Sequence, residues 1–230
     1  MKKLITLLLV LSIMGLVSFN VYNNYRLEQA EDLSKIPLEI EENRNFQRWI
    51  TNLKNKGIDV GADDFRLDEE HGLFNTKWLK IESTNDTDSL RFYKQTFDFY
   101  KKEKLYHVIF SPNDQALLDF RISPKFGFNA NEPVYFGIRD GKIYTLRITD
   151  CPDYANCYFD RAYFIDDDIF VLTEFSLERP ENDTTPILCG ISEICPYRIK
   201  LHLVDISNNS RLEYKSPILE LNLESTIPEL

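Results

Sequence analysis

Two cysteine pairs with the same spacing restrict where this chain folds and how. CPDYANC carries Cys151 and Cys157, CGISEIC carries Cys189 and Cys195, and YFDRAYFIDDDIFVLTEFS and a polar loop run between them. In an oxidising compartment four such thiols make two disulfides the default, with three connectivities open. Local pairing closes two short loops, each contributing roughly 2.4 kcal/mol, whereas nested pairing across the span 151–195 would contribute roughly 3.7 to 4 kcal/mol per bridge. Proximity during folding favours the local pairs, and these are the expectation. A four-cysteine zinc site is the rival, but its ligands are usually spaced C-x2-4-C, closer than the C-x5-C found here. The C-x-x-C spacing of redox motifs is absent.

Export is what makes disulfides plausible, and the N-terminus supplies the signal. Lys2 and Lys3 precede an uncharged, leucine-rich run at 4–19. Extended to residue 22, it is about long enough as a helix to cross a roughly 30 Å hydrocarbon layer. The lysines then stay on the inner side. A cleaved signal peptide is the alternative, although only Ser18, with Leu16 two before it, offers a small-residue cleavage pattern. The chain therefore divides into a membrane anchor or signal segment at 1–22, a polar linker at 23–35, and an extracytoplasmic domain at 36–230. The expected location is the periplasmic or cell-surface side of a membrane.

Aromatic residues make up 13% of the chain and apolar residues 43%, enough to build a core. Acidic residues outnumber basic ones 37 to 27, for a formal charge of -10. That charge repels phosphate backbones, so nucleic acid is not an expected partner.

Along the chain, IPLEIEENRNFQRWITNLKNKG reads as one helix. Pro37 stands near its start, acids fill its first turns, Lys54 and Lys56 its last, and Gly57 lies just past the end. Leu38, Glu42, Phe46, Trp49, Ile50 and Leu53 fall on one face, all apolar but Glu42, and that face packs on the rest of the fold or on a partner. Residues 57–83 hold one strand, 77–82, with Trp78 as its core anchor. LRFYKQTFDFYKKEK is a second helix, with Leu90, Tyr93, Phe97 and Tyr100 on one face. From residue 105 the pattern is β. Asp140-Gly141 between alternating runs predicts a type I′ hairpin. Asp166-Asp167-Asp168 and Asn208-Asn209 predict two more, and the tail from 217 adds one strand. The fold class expected is mainly β with minor α: antiparallel hairpins, propeller-blade-like or a sandwich, preceded by a transmembrane helix and one or two amphipathic helices.

SPNDQALLDF followed by VYFGIRDGKIYTLR, and FDRAYFIDDDIFVLTEF followed by IKLHLVDISNNSRLEYK, share one grammar of turn, strand, loop and hairpin. This resembles the blades of TolB-like β-propellers. It also resembles exported, N-terminally anchored bacterial β-rich proteins through Ser111, Pro112, Leu118, Asp119, Phe120, Phe159, Asp160, Ala162, Phe164, Asp166, Phe170 and Asp205. The resemblance implies an extracytoplasmic β domain and carries over no catalytic residue.

Sequence motifs of serine hydrolases, zinc proteases, nucleotide-binding loops and EF-hands are absent. His71, His107 and His202 are far apart, and the last two are expected in strands as partly buried structural residues. Carboxylates are the remaining catalytic candidates. Asp119 sits in the apolar strand ALLDF, and Asp160, Asp166, Asp167, Asp168 and Glu174 are expected to cluster around the central hairpin. A glycosidase needs two carboxyls at a defined separation, which sequence does not supply. A tight turn explains the triple aspartate more simply than calcium does. No cofactor or metal is expected. The function expected is a non-enzymatic, membrane-anchored extracytoplasmic β domain that binds a protein or envelope component. The alternatives are an envelope hydrolase using Asp119 and Asp160, or an inhibitor or immunity protein presenting the loop 178–186.

Overall fold

The computed structural model describes residues 34–125, 128–149, 157–178 and 189–227. The expected anchor, nearly all of the linker, Cys151 and the loop 179–188 lie outside the described residues. Among the described residues no helix is long and apolar enough to cross a membrane.

Alternation between two buried faces produces a four-layer arrangement of helix, sheet, sheet and helix. The first sheet runs β1 (Arg66–Gly72), β12 (Ser210–Lys215), β11 (Ile194–Asp205), β10 (Ile169–Leu177), β9 (Cys157–Phe164), and β13 (Leu219–Asn222) also pairs with β11. The second runs β2 (Leu79–Ser83), β8 (Lys142–Arg147), β7 (Val134–Arg139), β4 (Ala116–Asp119), β3 (Val108–Phe110). A separate hairpin joins β5 (Ile122–Lys125) to β6 (Phe128–Asn131). Every pairing is antiparallel.

The two units that read as propeller blades do not sit around a common axis. One hairpin belongs to each sheet, and each buries a face against the other: Phe159, Phe170, Leu172 and Val204 meet Leu118, Tyr135 and Leu146 in a shared core. That face-to-face burial is sandwich packing, and no propeller ring closes.

The expected single helix at 37–57 is two pieces, α1 (Leu38–Glu41) and α2 (Arg44–Asn55). Asn43 breaks it by capping α2, accepting from Asn45 N at 2.8 Å. The break turns Leu38 out of the predicted face to 59% exposure and brings Ile40 in. At the other end Gly57, φ 85°, donates to Lys54 O, and Ile58 donates to Leu53 O at 3.0 Å. That is a Schellman stop closed by the buried Leu53 and Ile58. Phe46, Trp49, Ile50 and Leu53 of α2 pack on Val171, Phe175, Tyr197, Ile199 and Tyr214, each worth about 1.5–3 kcal/mol relative to exposure. The second predicted helix, α3 (Thr87–Glu103), lies on the outer face of the second sheet, where Tyr93 and Phe97 meet Leu117 and Ile143. A short α4 (Leu223–Thr226) follows β13.

The Asp140-Gly141 hairpin forms with φ of 48° and 69°, both positive as a type I′ turn requires. Trp78 precedes β2, half-buried, and does not anchor the core. The Arg147 guanidinium lies 3.7 Å from its ring centroid. Strand β1 was not foreseen, because RLDEEHG has no apolar alternation. It is an edge strand, charged as sheet edges often are, held by its ladder to β12.

Candidate functional site

The carboxylates singled out from the sequence are dispersed. Asp119 closes β4 in the second sheet, where Arg121 grips it through Nε at 2.9 Å and Nη2 at 2.6 Å. Its surroundings are a half-buried ion pair capped by the Tyr100 hydroxyl on Arg121, and not the apolar pocket that ALLDF suggested. Asp160 belongs to the first sheet and accepts from Trp49 Nε1 at 2.9 Å. Asp167 accepts from Asn113 N at 2.9 Å and Asp168 from Ser207 Oγ at 3.0 Å, so both tie turns together. Glu174 faces away from Asp160: its strand neighbour Phe159 lies in the inter-sheet core, while Asp160 points to α2. The expected acidic cluster around the central hairpin is therefore split between two faces of one sheet. The cause is a bulge.

In β9 the register to β10 shifts between Leu172 and Glu174, so Asp160 and Arg161 together oppose Thr173. Phe159 and Ala162 then both face the second sheet, with two residues between them where a regular strand has one. Thr173 Oγ1 holds the bulge, accepting from Arg161 N at 3.0 Å and donating to Arg161 O at 3.2 Å. Asp160 goes to the buried indole of α2. Arg161 goes to the surface, its Nε 3.8 Å from the Asp160 carboxylate.

There, between α2 and the edge strand β9, lies a groove of about 400 Å³ lined by Asn45, Arg48, Trp49, Asn52, Arg161, Ala162 and Tyr163. Asn45, Arg48 and Asn52 share one stripe of the helix by their three- and four-residue spacing. The Arg48 guanidinium makes no ion pair or hydrogen bond among the described residues. Tyr163 is 8% exposed, and its hydroxyl is buried without a hydrogen-bond partner. No carboxylate lines the groove among the described residues. The sequence reading missed it because Arg161 reaches it only through the bulge and Arg48 only through the seating of α2.

No family model, no curated protein and no solved structure matches this chain. Its function has to be read from its own geometry.

The histidines separate. His107 lies outside the strands at φ 60°, against Phe120, and His71 is on β1. His202 is fully buried in β11, in a charged network the sequence did not reveal. Arg211 Nη1 stands 2.8 Å from its Nδ1 and Glu174 Oε2 stands 2.7 Å from its Nε2. Arginine can only donate, which assigns Nδ1 as acceptor and Nε2–H as the donor to Glu174. Lys200 bridges Glu174 at 3.5 Å and Glu213 at 3.3 Å. Burial pushes the Glu174 carboxyl up, but the His202 hydrogen bond and the Lys200 charge outweigh it and hold the group at about 2. Burial pulls Lys200 down, and the same two carboxylates keep it above its ordinary value.

Glu69, His71 and Glu213 bring three ligand atoms within 4.8 Å of one another. Glu213 already meets Lys200, Lys215 and Arg211 at 3.3, 3.7 and 3.1 Å. The Glu213 carboxylate is thus already engaged by three cations in an ion-pair network. Cys189 and Cys195 are disulfide-bonded with Cα atoms 6.6 Å apart, which excludes the nested pairing. Cys157 is disulfide-bonded too, to a partner outside the described residues.

Proposed function

We propose that this chain is a non-enzymatic, membrane-anchored extracytoplasmic domain that binds an envelope component through the groove between α2 and β9. The observation that carries this reading is a concave site between α2 and β9 lined by Arg48, whose guanidinium has no partner among the described residues, and by Arg161. Pockets of roughly 300–1,000 Å³ with a few convergent polar groups are the usual form of a ligand site. The apolar run at 4–19, read as an anchor, supports a membrane-tethered domain, and the disulfides suit an oxidising side.

A hydrolase using Asp119 and Asp160 draws no support from their geometry. Each is held by its own partner, in a different sheet, and Asp160 is 7% exposed. The inhibitor reading rests on the loop 178–186, of which only Glu178 is described, paired with Arg198 at 2.7 Å.

The test is co-sedimentation of the full-length chain, in neutral detergent, with isolated cell-envelope material. Retention that is lost on Arg48→Ala with Arg161→Ala is the expected result. Retention unchanged by both substitutions would remove the groove from the function, and release of soluble glycan or peptide would restore the hydrolase reading.

A further inference from the structure

We infer that the ligand of this groove is an acidic sugar, whose carboxylate or phosphate is held between Arg48 and Arg161; this rests on the binding reading above. The charge distribution is the first argument. The chain carries 37 acidic residues against 27 basic ones, yet among the described residues the groove and the adjoining face of α2, lined by Arg44, Gln47, Arg48, Thr51, Asn52 and Asn55, include three arginines and no carboxylate, Asp160 lying behind Arg161 at 3.8 Å from its Nε. An arginine-only patch on an acidic protein attracts anions locally, and guanidinium forks match the geometry of carboxylate and phosphate.

The remaining lining groups specify what carries the anion. Asn45 and Asn52 each offer an amide that both donates and accepts, the match for sugar hydroxyls. Ala162 and the small exposed parts of Trp49 and Tyr163, 5% and 8% exposed, are the apolar part of the lining. A groove of about 400 Å³ suits one acidic unit of a glycan. It does not suit a nucleic-acid strand, which requires a basic track along its backbone.

Calorimetric titration of the full-length chain in neutral detergent tests this with three probes of equal length: a hexuronate oligosaccharide, its carboxyl-reduced counterpart and a phosphorylated oligosaccharide. At least one charged probe is expected to bind about tenfold or more tighter than the reduced one, with affinity falling as salt rises. Which charged probe is preferred identifies the anion. Arg48→Gln with Arg161→Gln is expected to remove that preference. Equal affinity for charged and reduced sugars overturns the inference and leaves the binding reading standing. Failure of all three probes also overturns it, whereas the binding reading fails only if Arg48-dependent retention on envelope material is absent as well.

Discussion

Trp49 Nε1 donates to Asp160 Oδ2 at 2.9 Å, joining residues 111 positions apart in sequence. This bond fixes α2 over the edge strand and so sets the width of the groove between them. A hydrogen bond to a buried carboxylate contributes about 1.5–3 kcal/mol. Asp160→Ala, which orphans the indole N–H, is expected to cost about 2 kcal/mol, and Asp160→Asn, which keeps an acceptor, clearly less. A double-mutant cycle of Trp49→Phe with Asp160→Ala, followed by urea unfolding, should show the two residues coupled by about that bond's energy. Additive effects would mean that the bond does not hold the helix.

Gly137 sits beside Tyr135 on β7, and a Cβ there would lie 2.6 Å from the Tyr135 Cζ. Tyr135 is 1% exposed and stacks on Phe170 of the opposite sheet, with centroids 6.0 Å apart. Gly137→Ala therefore displaces a central side chain of the inter-sheet core. The expected loss is about 1–3 kcal/mol, with a changed near-ultraviolet dichroism, while Gly141→Ala, at φ 69° in the turn, should lose stability without altering that spectrum.

Glu174 has a folded-state pKa of about 2 against an ordinary 4.5. A depressed carboxyl stabilises the fold fully above its unfolded value and ceases to do so as pH falls through its folded value. The gap in stability between the native chain and Glu174→Gln should thus be constant above about pH 5 and close as pH falls from 4.5 toward 2. Chemical denaturation across that range measures it. A gap that persists at pH 2 would place the effect in packing and not in charge.

The Cys189–Cys195 bridge closes a short loop at the start of β11. Replacing both residues by serine should cost about 2 kcal/mol. For a domain of this size that lowers the melting temperature by roughly 5 °C. Scanning calorimetry of the two proteins in the absence of reductant tests it.

What the sequence disclosed was whatever local patterning governs. Asp140-Gly141 fixed its own turn, and the spacing of Tyr93 and Phe97 gave the helix that packs on the second sheet. Strand β1 escaped notice because its residues Arg66, Asp68, Glu69 and Glu70 are polar: its strand character comes from the ladder offered by β12, a long-range fact. The groove was hidden for the same kind of reason. Arg161 faces α2 only because of the added residue in β9, and a bulge leaves no period in the sequence. His202 was read as a buried structural residue, which it is, but its partners Glu174 and Arg211 come from the two neighbouring strands and are not adjacent to it in sequence.

The Glu174, His202, Arg211 and Glu213 network has one more consequence. Alternation of apolar side chains specifies which face of β10 and β11 points inward, but it is blind to a slip of two residues, which would preserve every face. Such a slip would move Leu172 opposite Lys200 and leave the buried Glu174 carboxylate without the His202 N–H. The charges thus act as a key that admits one alignment of the central strands, and the sandwich that supports the groove is assembled in that alignment alone.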